Sequence, residues 1–189
     1  MKQNLKRNLT SAFLVLVLLW IIELIDVILP VDLVQFGIVP RNIVGLRGIL
    51  FAPFLHAGWY HLISNSLPLF VLLTTLFTFY GKISIQVCVF SAILGGLTVW
   101  LIARSGTVHV GASGVIFSLL TFLIASGVFR KNFKALLIAL VIFFLYGGAL
   151  WGVLPSNPYI SWEGHLFGAI AGILIAWIYR NTSVSESAQ

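Results

Sequence analysis

The sequence predicts an all-α, polytopic membrane protein built as a bundle of six transmembrane helices. Of its 189 residues, 60% are hydrophobic and only 8% are charged, whereas a soluble domain is about 45–50% apolar and about 25% charged. Three long stretches contain no charged side chain, namely residues 62–81, 83–103 and 135–162. A bilayer-spanning helix needs about 20 such residues, and irregular backbone cannot face lipid. Each stretch therefore predicts a membrane helix.

The six predicted spans are residues 11–29, 61–80, 83–103, 113–128, 135–153 and 162–179. The segment between the first two spans is rich in glycine, proline and aromatic residues and too long for a turn, which predicts a structured interfacial loop. The first span is interpreted as a retained anchor, because no small-x-small cleavage motif follows it. Residues 1–10 are expected to precede a membrane domain of residues 11–180, and residues 181–189 to form a short disordered tail.

The net charge of +6 is interpreted as a topology feature, because the basic residues stand at the ends of apolar segments. Eight are predicted on one side of the membrane and three on the other. The larger group is Lys2, Lys6, Arg7, Lys82, Arg130, Lys131, Lys134 and Arg180, and the smaller is Arg41, Arg47 and Arg104. The positive-inside rule then predicts cytoplasmic N- and C-termini in a plasma or inner cell membrane. No nucleic-acid partner is expected.

Polar residues that could carry chemistry begin the second, fourth and sixth predicted spans. His61 and Asn65 begin the second, Ser113 begins the fourth within the sequence GASG, and His165 begins the sixth. These spans run in the same direction, so all four residues are expected at one depth near the outer face. The fourth span is about 24 Å long at 1.5 Å per residue, against about 30 Å of hydrocarbon. This places Ser113 roughly 6 Å below the outer boundary, in a water-filled cavity between helices.

Serine and histidine in this arrangement favour acyl transfer. A serine hydroxyl becomes a strong nucleophile when a base accepts its proton, and histidine can do so near neutral pH. We interpret Ser113 as the nucleophile and His165 as the base. The glycines around Ser113 allow a tight turn that aims backbone N–H groups at an oxyanion. His61 and Asn65, four residues apart on one helix face, can donate hydrogen bonds to the same oxyanion.

Small residues on the sixth span predict a close contact with the fourth. Gly164, Gly168 and Gly172 recur at four-residue spacing beside His165, and this pattern allows membrane helices to approach each other closely.

Taken together and in order, these motifs resemble the rhomboid family of intramembrane proteases, over residues 37–172. The residues that carry the resemblance are His56, His61 and Asn65, then Gly111, Ser113 and Gly114, then His165, Gly168 and Gly172. The resemblance implies a six-helix rhomboid bundle and a Ser–His dyad without a third acid, a metal or another cofactor. It also implies cleavage of single-span or other membrane-anchored proteins in the lipid bilayer.

The resemblance implies further roles and includes one departure. It implies that Asn65, His61 and the backbone amide of Ser113 bind the oxyanion, and that the fifth span is a lateral gate eased by Gly147-Gly148. Well-known members have a tyrosine four residues after the serine, packed against the catalytic histidine. Here that residue is Phe117, which keeps the aromatic face and loses the hydroxyl.

Three alternatives remain open at the level of sequence. A metalloprotease would need a ligand motif such as His-Glu-x-x-His, which this sequence lacks. A haem-binding cytochrome could use His61 and His165 as axial ligands, but this leaves Asn65 and Ser113 unexplained. A non-catalytic rhomboid-like protein that binds membrane clients typically lacks the serine or the histidine, and both are present here.

Four further polar residues are expected to lie outside the chemistry. His109 is predicted to be a loop residue without a catalytic role. Glu23 and Asp26 stand near the end of the first span and are expected in the membrane interface, not in a triad. Glu163 comes two residues before His165, points away from it on a helix and is expected at the rim.

Overall fold

The structure, a computed structural model, describes residues 2–30, 32–156 and 160–182. Across these residues the fold is all helical and contains no β-strand. The α-helices are α1 (Lys2–Ile28), α2 (Gly48–Phe51), α3 (Trp59–Phe79), α4 (Ser84–Ile102), α5 (Ser113–Phe129), α6 (Phe133–Tyr146) and α7 (Trp162–Ile178). Short 3-10 helices cover Leu33–Phe36, Val44–Arg47, Ala52–Phe54 and Gly147–Val153.

The boundaries of the first and fifth predicted spans differ from the structure. Helix α1 begins at Lys2 instead of residue 11, so the expected N-terminal extension is part of the helix. No proline or glycine interrupts it before Pro30, and Asn8 donates a hydrogen bond to Thr78 at 3.4 Å, which holds this end against α3. The fifth span is an α-helix only to Tyr146 and continues as 3-10 helix from Gly147. The expected tail lies almost wholly outside the described residues.

Four helical segments of the described chain are long and apolar enough to cross a membrane, and they are Gln3–Ile28, Trp59–Phe79, Ser84–Ile102 and Phe133–Val153. Helices α5 and α7 are apolar but have only 17 residues each. The protein is therefore a helical, multi-pass membrane protein in which these two helices are the short ones.

Helix α5 forms the centre of the bundle, and its most extensive packing is against α7. The two helices meet through the predicted glycines. A Cβ atom at Gly168 would collide with the carbonyl oxygen of Gly114, and one at Gly172 would collide with that of Ser118. Thr121 also donates a hydrogen bond to the Ala169 carbonyl at 2.8 Å. The absence of side chains at 168 and 172 thus permits the close approach, as the sequence predicts.

The long loop between α1 and α3 is structured, as predicted. Its Ile38 pairs with His109 through two backbone hydrogen bonds of 2.9 Å, one in each direction. The backbone N–H of Gly111 donates to the Ala52 carbonyl, also at 2.9 Å. This loop therefore anchors the segment that leads into α5, where Ser113 stands.

Candidate active site

Ser113 is the first residue of α5 and is largely buried, with 7% of its surface exposed. The chain enters the helix through Gly111, whose φ of +115° is costly for any residue with a Cβ atom. A Cβ at Gly111 would also lie 2.7 Å from Nε2 of His61 and 3.6 Å from Oγ of Ser113. Gly111 thus supplies both the turn and the space between these two side chains.

His165 lies in the first turn of α7, and two contacts fix its ring. Its Nδ1 is 2.9 Å from the carbonyl oxygen of Gly152. Because a carbonyl only accepts hydrogen bonds, Nδ1 carries the proton and Nε2 is left as the basic nitrogen. The ring also stacks on Phe117, with centroids 4.2 Å apart and planes at 5°. The imidazole is therefore held in the tautomer that a general base requires.

Ser113 and His165 are brought to facing turns of α5 and α7. Gly114, next to the serine, packs against Gly164, next to the histidine, while Phe117 stacks on the histidine itself. Among the described residues, no hydrogen bond joins the Ser113 hydroxyl to His165. Catalytic hydrogen bonds are often long in unliganded enzymes and tighten when substrate binds, so this geometry is compatible with a dyad.

Two polar side chains of α3, His61 and Asn65, are the candidate oxyanion donors. The backbone N–H of Ala57 donates to Nδ1 of His61 at 3.4 Å, so neutral His61 carries its proton on Nε2, the atom that faces Gly111. Asn65 is 7% exposed, and its buried amide nitrogen has no hydrogen-bond partner among the described residues. A buried donor without an acceptor costs about 1–3 kcal/mol. Such donors suit a negative charge that develops only during a reaction.

His56 supports the loop beneath this site. Its Nε2 is 3.4 Å from the backbone nitrogen of Ala112, which donates to it, and its ring contacts His61 edge to face at 5.1 Å between centroids. Burial, and to a smaller extent the neighbouring His61, lowers the pKa of His56 from 6.5 to about 4. His56 is thus a neutral acceptor that fixes the residue immediately before Ser113.

The expectation that Glu163 lies at the rim is wrong. Its side chain is 2% exposed and forms an ion pair with Arg104, with Nε to Oε1 at 2.5 Å and Nη2 to Oε2 at 3.1 Å. A carboxylate can be buried when a cation compensates it, and Arg104 is 59 residues away in the chain. Glu163 is therefore part of the packed interior next to His165.

His109 and the two acidic residues of α1 have distinct environments. His109 lies in a loop, as expected, but is 5% exposed and bonded through both ring nitrogens. Glu23 is 2% exposed. Asp26 accepts a hydrogen bond from the backbone N–H of Leu33 at 2.6 Å. Within the described residues neither carboxylate bonds a histidine, so no triad forms with them.

Gly152 contacts the candidate base His165 through its carbonyl oxygen, and the sequence analysis did not single out this residue. Its carbonyl oxygen occupies the place where a third, acidic residue would orient the histidine, and every residue type has a carbonyl. The only trace in the sequence is the glycine itself. A Cβ atom there would lie 3.0 Å from the Phe117 ring and 3.3 Å from Nδ1 of His165, so a side chain would push against both.

Comparison with known proteins relates most of the chain to one family. The Rhomboid domain model matches residues 45–182. Uncharacterized proteins of Mycobacterium tuberculosis and Mycobacterium bovis are 41% identical over 179 residues, covering 89% of this chain and 74% of theirs. The Bacillus subtilis protein named "Putative rhomboid protease YdcA" is 32% identical over 130 residues, covering 66% of this chain and 62% of its own. The chain belongs to the rhomboid family.

Proposed function

We propose that this protein is an intramembrane serine endopeptidase with Ser113 as nucleophile and His165 as general base. Its substrates are membrane-anchored proteins, including single-span ones, cut in or near their transmembrane segments. The observation that carries the proposal is the contact between Nδ1 of His165 and the Gly152 carbonyl, because it leaves Nε2 basic on the turn that faces Ser113. Stacking on Phe117 restricts the ring to that orientation.

The reaction follows from these positions. Ser113 Oγ attacks the scissile carbonyl carbon while Nε2 of His165 takes the hydroxyl proton. The carbonyl oxygen becomes an oxyanion, which accepts hydrogen bonds from Asn65 Nδ2, His61 Nε2 and the backbone N–H of Ser113. When the tetrahedral intermediate collapses, His165 protonates the departing amine and an acyl-enzyme remains. Water, deprotonated by His165, then attacks the ester and regenerates the serine.

The lengths of the helices support a site below the membrane surface. At 1.5 Å per residue, α5 and α7 are each about 25 Å long, shorter than the hydrocarbon core of about 30 Å. If both cross the membrane, six spans result, and their first turns begin inside the bilayer. A cavity of about 50 Å³ lined in part by Ser113, His109 and Ser161 has room for water, which needs about 10–15 Å³ by this measure.

Cleavage of a single-span substrate in liposomes tests the proposal. The wild type should cut it, and Ser113→Ala and His165→Ala should each lose activity by several orders of magnitude while remaining folded. The double variant should be no worse than either single one, because the pair acts as a unit. If wild type and both variants bind the substrate and none cuts it, the protein is a non-catalytic client-binding member of the family. Equal cleavage by wild type and Ser113→Ala would assign the activity to another protein.

A further inference from the structure

Two polar contacts join the loop before Ser113 to the beginning of α7. One is the ion pair of Arg104 with Glu163. The other is a hydrogen bond of 2.5 Å between Nδ1 of His109 and the hydroxyl of Ser161. Together they are called the polar link below. Its residues stand four and nine positions before Ser113 on one side, and two and four positions before His165 on the other.

The protonation pattern of His109 follows from its neighbours. Thr107 donates its hydroxyl proton to the Arg104 carbonyl at 2.7 Å, so at 2.9 Å it accepts from Nε2 of His109. Nδ1 of neutral His109 is then unprotonated and accepts a hydrogen bond from the Ser161 hydroxyl. Burial lowers the pKa of His109, with an opposing effect of Glu163 and a further lowering by Arg104. The neutral ring is fully hydrogen-bonded and locked between the two segments.

Ser161 is the N-cap residue of α7, but its side chain does not cap the helix. Serine is a preferred N-cap because it bonds the free N–H groups of the first turn. The hydroxyl bonds His109 instead. A Cβ atom at Gly164 would lie only 2.8 Å from this hydroxyl oxygen, so the glycine leaves room for it. The serine carbonyl accepts from the backbone N–H of His165 at 3.2 Å. Ser161 thus connects His109 directly to the turn that carries the base.

Both ends of this connection are anchored. The backbone of His109 is paired with Ile38, and two residues later Gly111 is bonded to Ala52. On the other side, Glu163 is 2% exposed and paired with Arg104. The Arg104 side chain is 43% exposed, and an ion pair with a solvent-exposed partner adds little net stability. The pair is therefore better explained by its position between the two segments than by a contribution to stability.

We propose that His109 and Ser161 are positioning residues for the dyad, which set the distance between Ser113 and His165 by joining the serine loop to the histidine turn. This inference rests on the proposed protease function. Neither residue touches the reacting atoms in this account. A misplacement of about 1 Å between catalytic groups can reduce the rate by about a hundredfold. Loss of the link should therefore lower turnover by between about tenfold and a hundredfold, with an unchanged KM.

Fluorophosphonate labelling of the full-length protein in detergent measures this effect, since its rate reports the reactivity of Ser113 without a peptide substrate. Rates are expressed per folded molecule. Ser161→Ala should slow labelling at least about tenfold, and Ser161→Thr, which keeps the hydroxyl, should restore it. The matched control is Ser84→Ala, which removes a partly buried hydrogen bond to the Gly81 carbonyl at the opposite end of the bundle and should label at the wild-type rate.

A second pair of variants tests the link from the other side. The variant His109→Asn places a polar atom near the position of Nδ1 and should keep the hydrogen bond to Ser161. The variant His109→Gln places its amide near the position of Nε2 and should lose that hydrogen bond. His109→Asn should label faster than His109→Gln, and adding Ser161→Ala to His109→Gln should cause little further loss.

The outcomes separate the two proposals. Wild-type labelling that survives in Ser113→Ala, or no labelling at all, would remove the proposed dyad and the positioning role with it. Labelling confined to Ser113 but equally fast in Ser161→Ala would overturn the positioning role alone. Equal melting midpoints for Ser161→Ala and Ser84→Ala with different labelling rates would support it. A loss of labelling that disappears when rates are expressed per folded molecule would make the link a stability element and refute the inference.

Discussion

The four histidines of this protein differ in what binds their ring nitrogens, and the partners decide what each ring can do. His165 has a carbonyl on Nδ1 and is left with a basic Nε2. His61 accepts a backbone N–H on Nδ1 and presents an N–H on the other side. His56 accepts the Ala112 amide, and His109 is saturated. The ring of His165 can therefore accept a proton, and that of His61 can donate a hydrogen bond to an anion. The rings of His56 and His109 hold neighbouring backbone and side chains in place.

The pKa of His56 predicts a loss of stability in acid. Because the folded protein holds this pKa near 4 rather than 6.5, the unfolded chain binds more protons between these values. Stability from this group is intact above about pH 6.5 and falls as the pH decreases, by about 3 kcal/mol at pH 4. Protonation also puts a hydrogen on Nε2, facing the Ala112 N–H. Melting midpoints in detergent between pH 7.5 and 4.5 measure the loss.

The variant His56→Gln provides the control, because its amide oxygen can accept the Ala112 N–H and does not titrate. Its midpoint should fall less steeply with acid than that of the wild type. Parallel curves for the two proteins would mean that His56 does not titrate in this range.

Asn65 predicts a catalytic effect with little effect on stability. Its amide nitrogen is buried and unpartnered in the described structure, so replacing it with alanine removes an unsatisfied donor and no existing bond of that atom. Asn65→Ala should lower kcat by about 10²–10³-fold and leave a residual rate above that of Ser113→Ala. Cleavage kinetics and melting curves distinguish the roles. Full turnover with a lower melting midpoint would place Asn65 outside the site.

The sequence pattern identified the candidate catalytic side chains but not the groups that orient them. Ser113, His165 and Asn65 each lie near the beginning of a predicted span, and these three spans run in the same direction, so the sequence predicts that the three residues share one depth. The Gly152 carbonyl could not be predicted, since a backbone acceptor has no residue signature. Glu163 was placed wrongly because its exposure depends on Arg104, a pairing set by tertiary structure rather than by local sequence.

At the scale of elements, the contact between α5 and α7 brings together the helix turns that carry Ser113 and His165. The contact is made by backbone against backbone, and atoms of the main chain cannot move aside as a flexible side chain can. Glycine spacing in the sequence predicted this contact. It did not predict that the helix before the site changes from α to 3-10 at Gly147, which is the change that brings the Gly152 carbonyl to His165.

Gly168→Ala should therefore destabilise the bundle. The added Cβ would meet the Gly114 carbonyl oxygen far inside contact distance, and overpacking of this kind costs about 1–3 kcal/mol. The matched variant is Gly148→Ala, since a Cβ there meets no atom within 4 Å. Thermal unfolding in detergent should show a lower midpoint for the first variant and little change for the second. Equal midpoints would show that the α5–α7 contact is loose enough to absorb a methyl group.

At the scale of the whole molecule, most basic residues are assigned to the end of the bundle opposite the candidate site. The three basic residues at the site end, Arg41, Arg47 and Arg104, each donate to oxygen atoms of the protein. The other eight stand in the sequence segments assigned to the opposite end. The positive-inside rule predicts that the site end faces away from the cytoplasm. Six spans would place both termini on the same side of the membrane.

Reporter fusions test this topology. Fusions after Arg130 and after Arg180 should report the cytoplasm, and a reporter inserted within residues 30–60 should report the opposite side, because eight basic residues favour one side and three the other. An external C-terminus would require an odd number of spans, and the first turns of α3, α5 and α7 would then have no common depth.

The Ser–His dyad is tested most directly by identifying the residue that a fluorophosphonate modifies. The purified wild-type protein should form one covalent adduct, and peptide mass spectrometry should locate it on Ser113, because only a serine next to a general base reacts readily. Labelling should be lost in Ser113→Ala and nearly lost in His165→Ala, and both variants should have melting curves close to that of the wild type. An adduct on another serine, or undiminished labelling of folded His165→Ala, would contradict the Ser–His dyad.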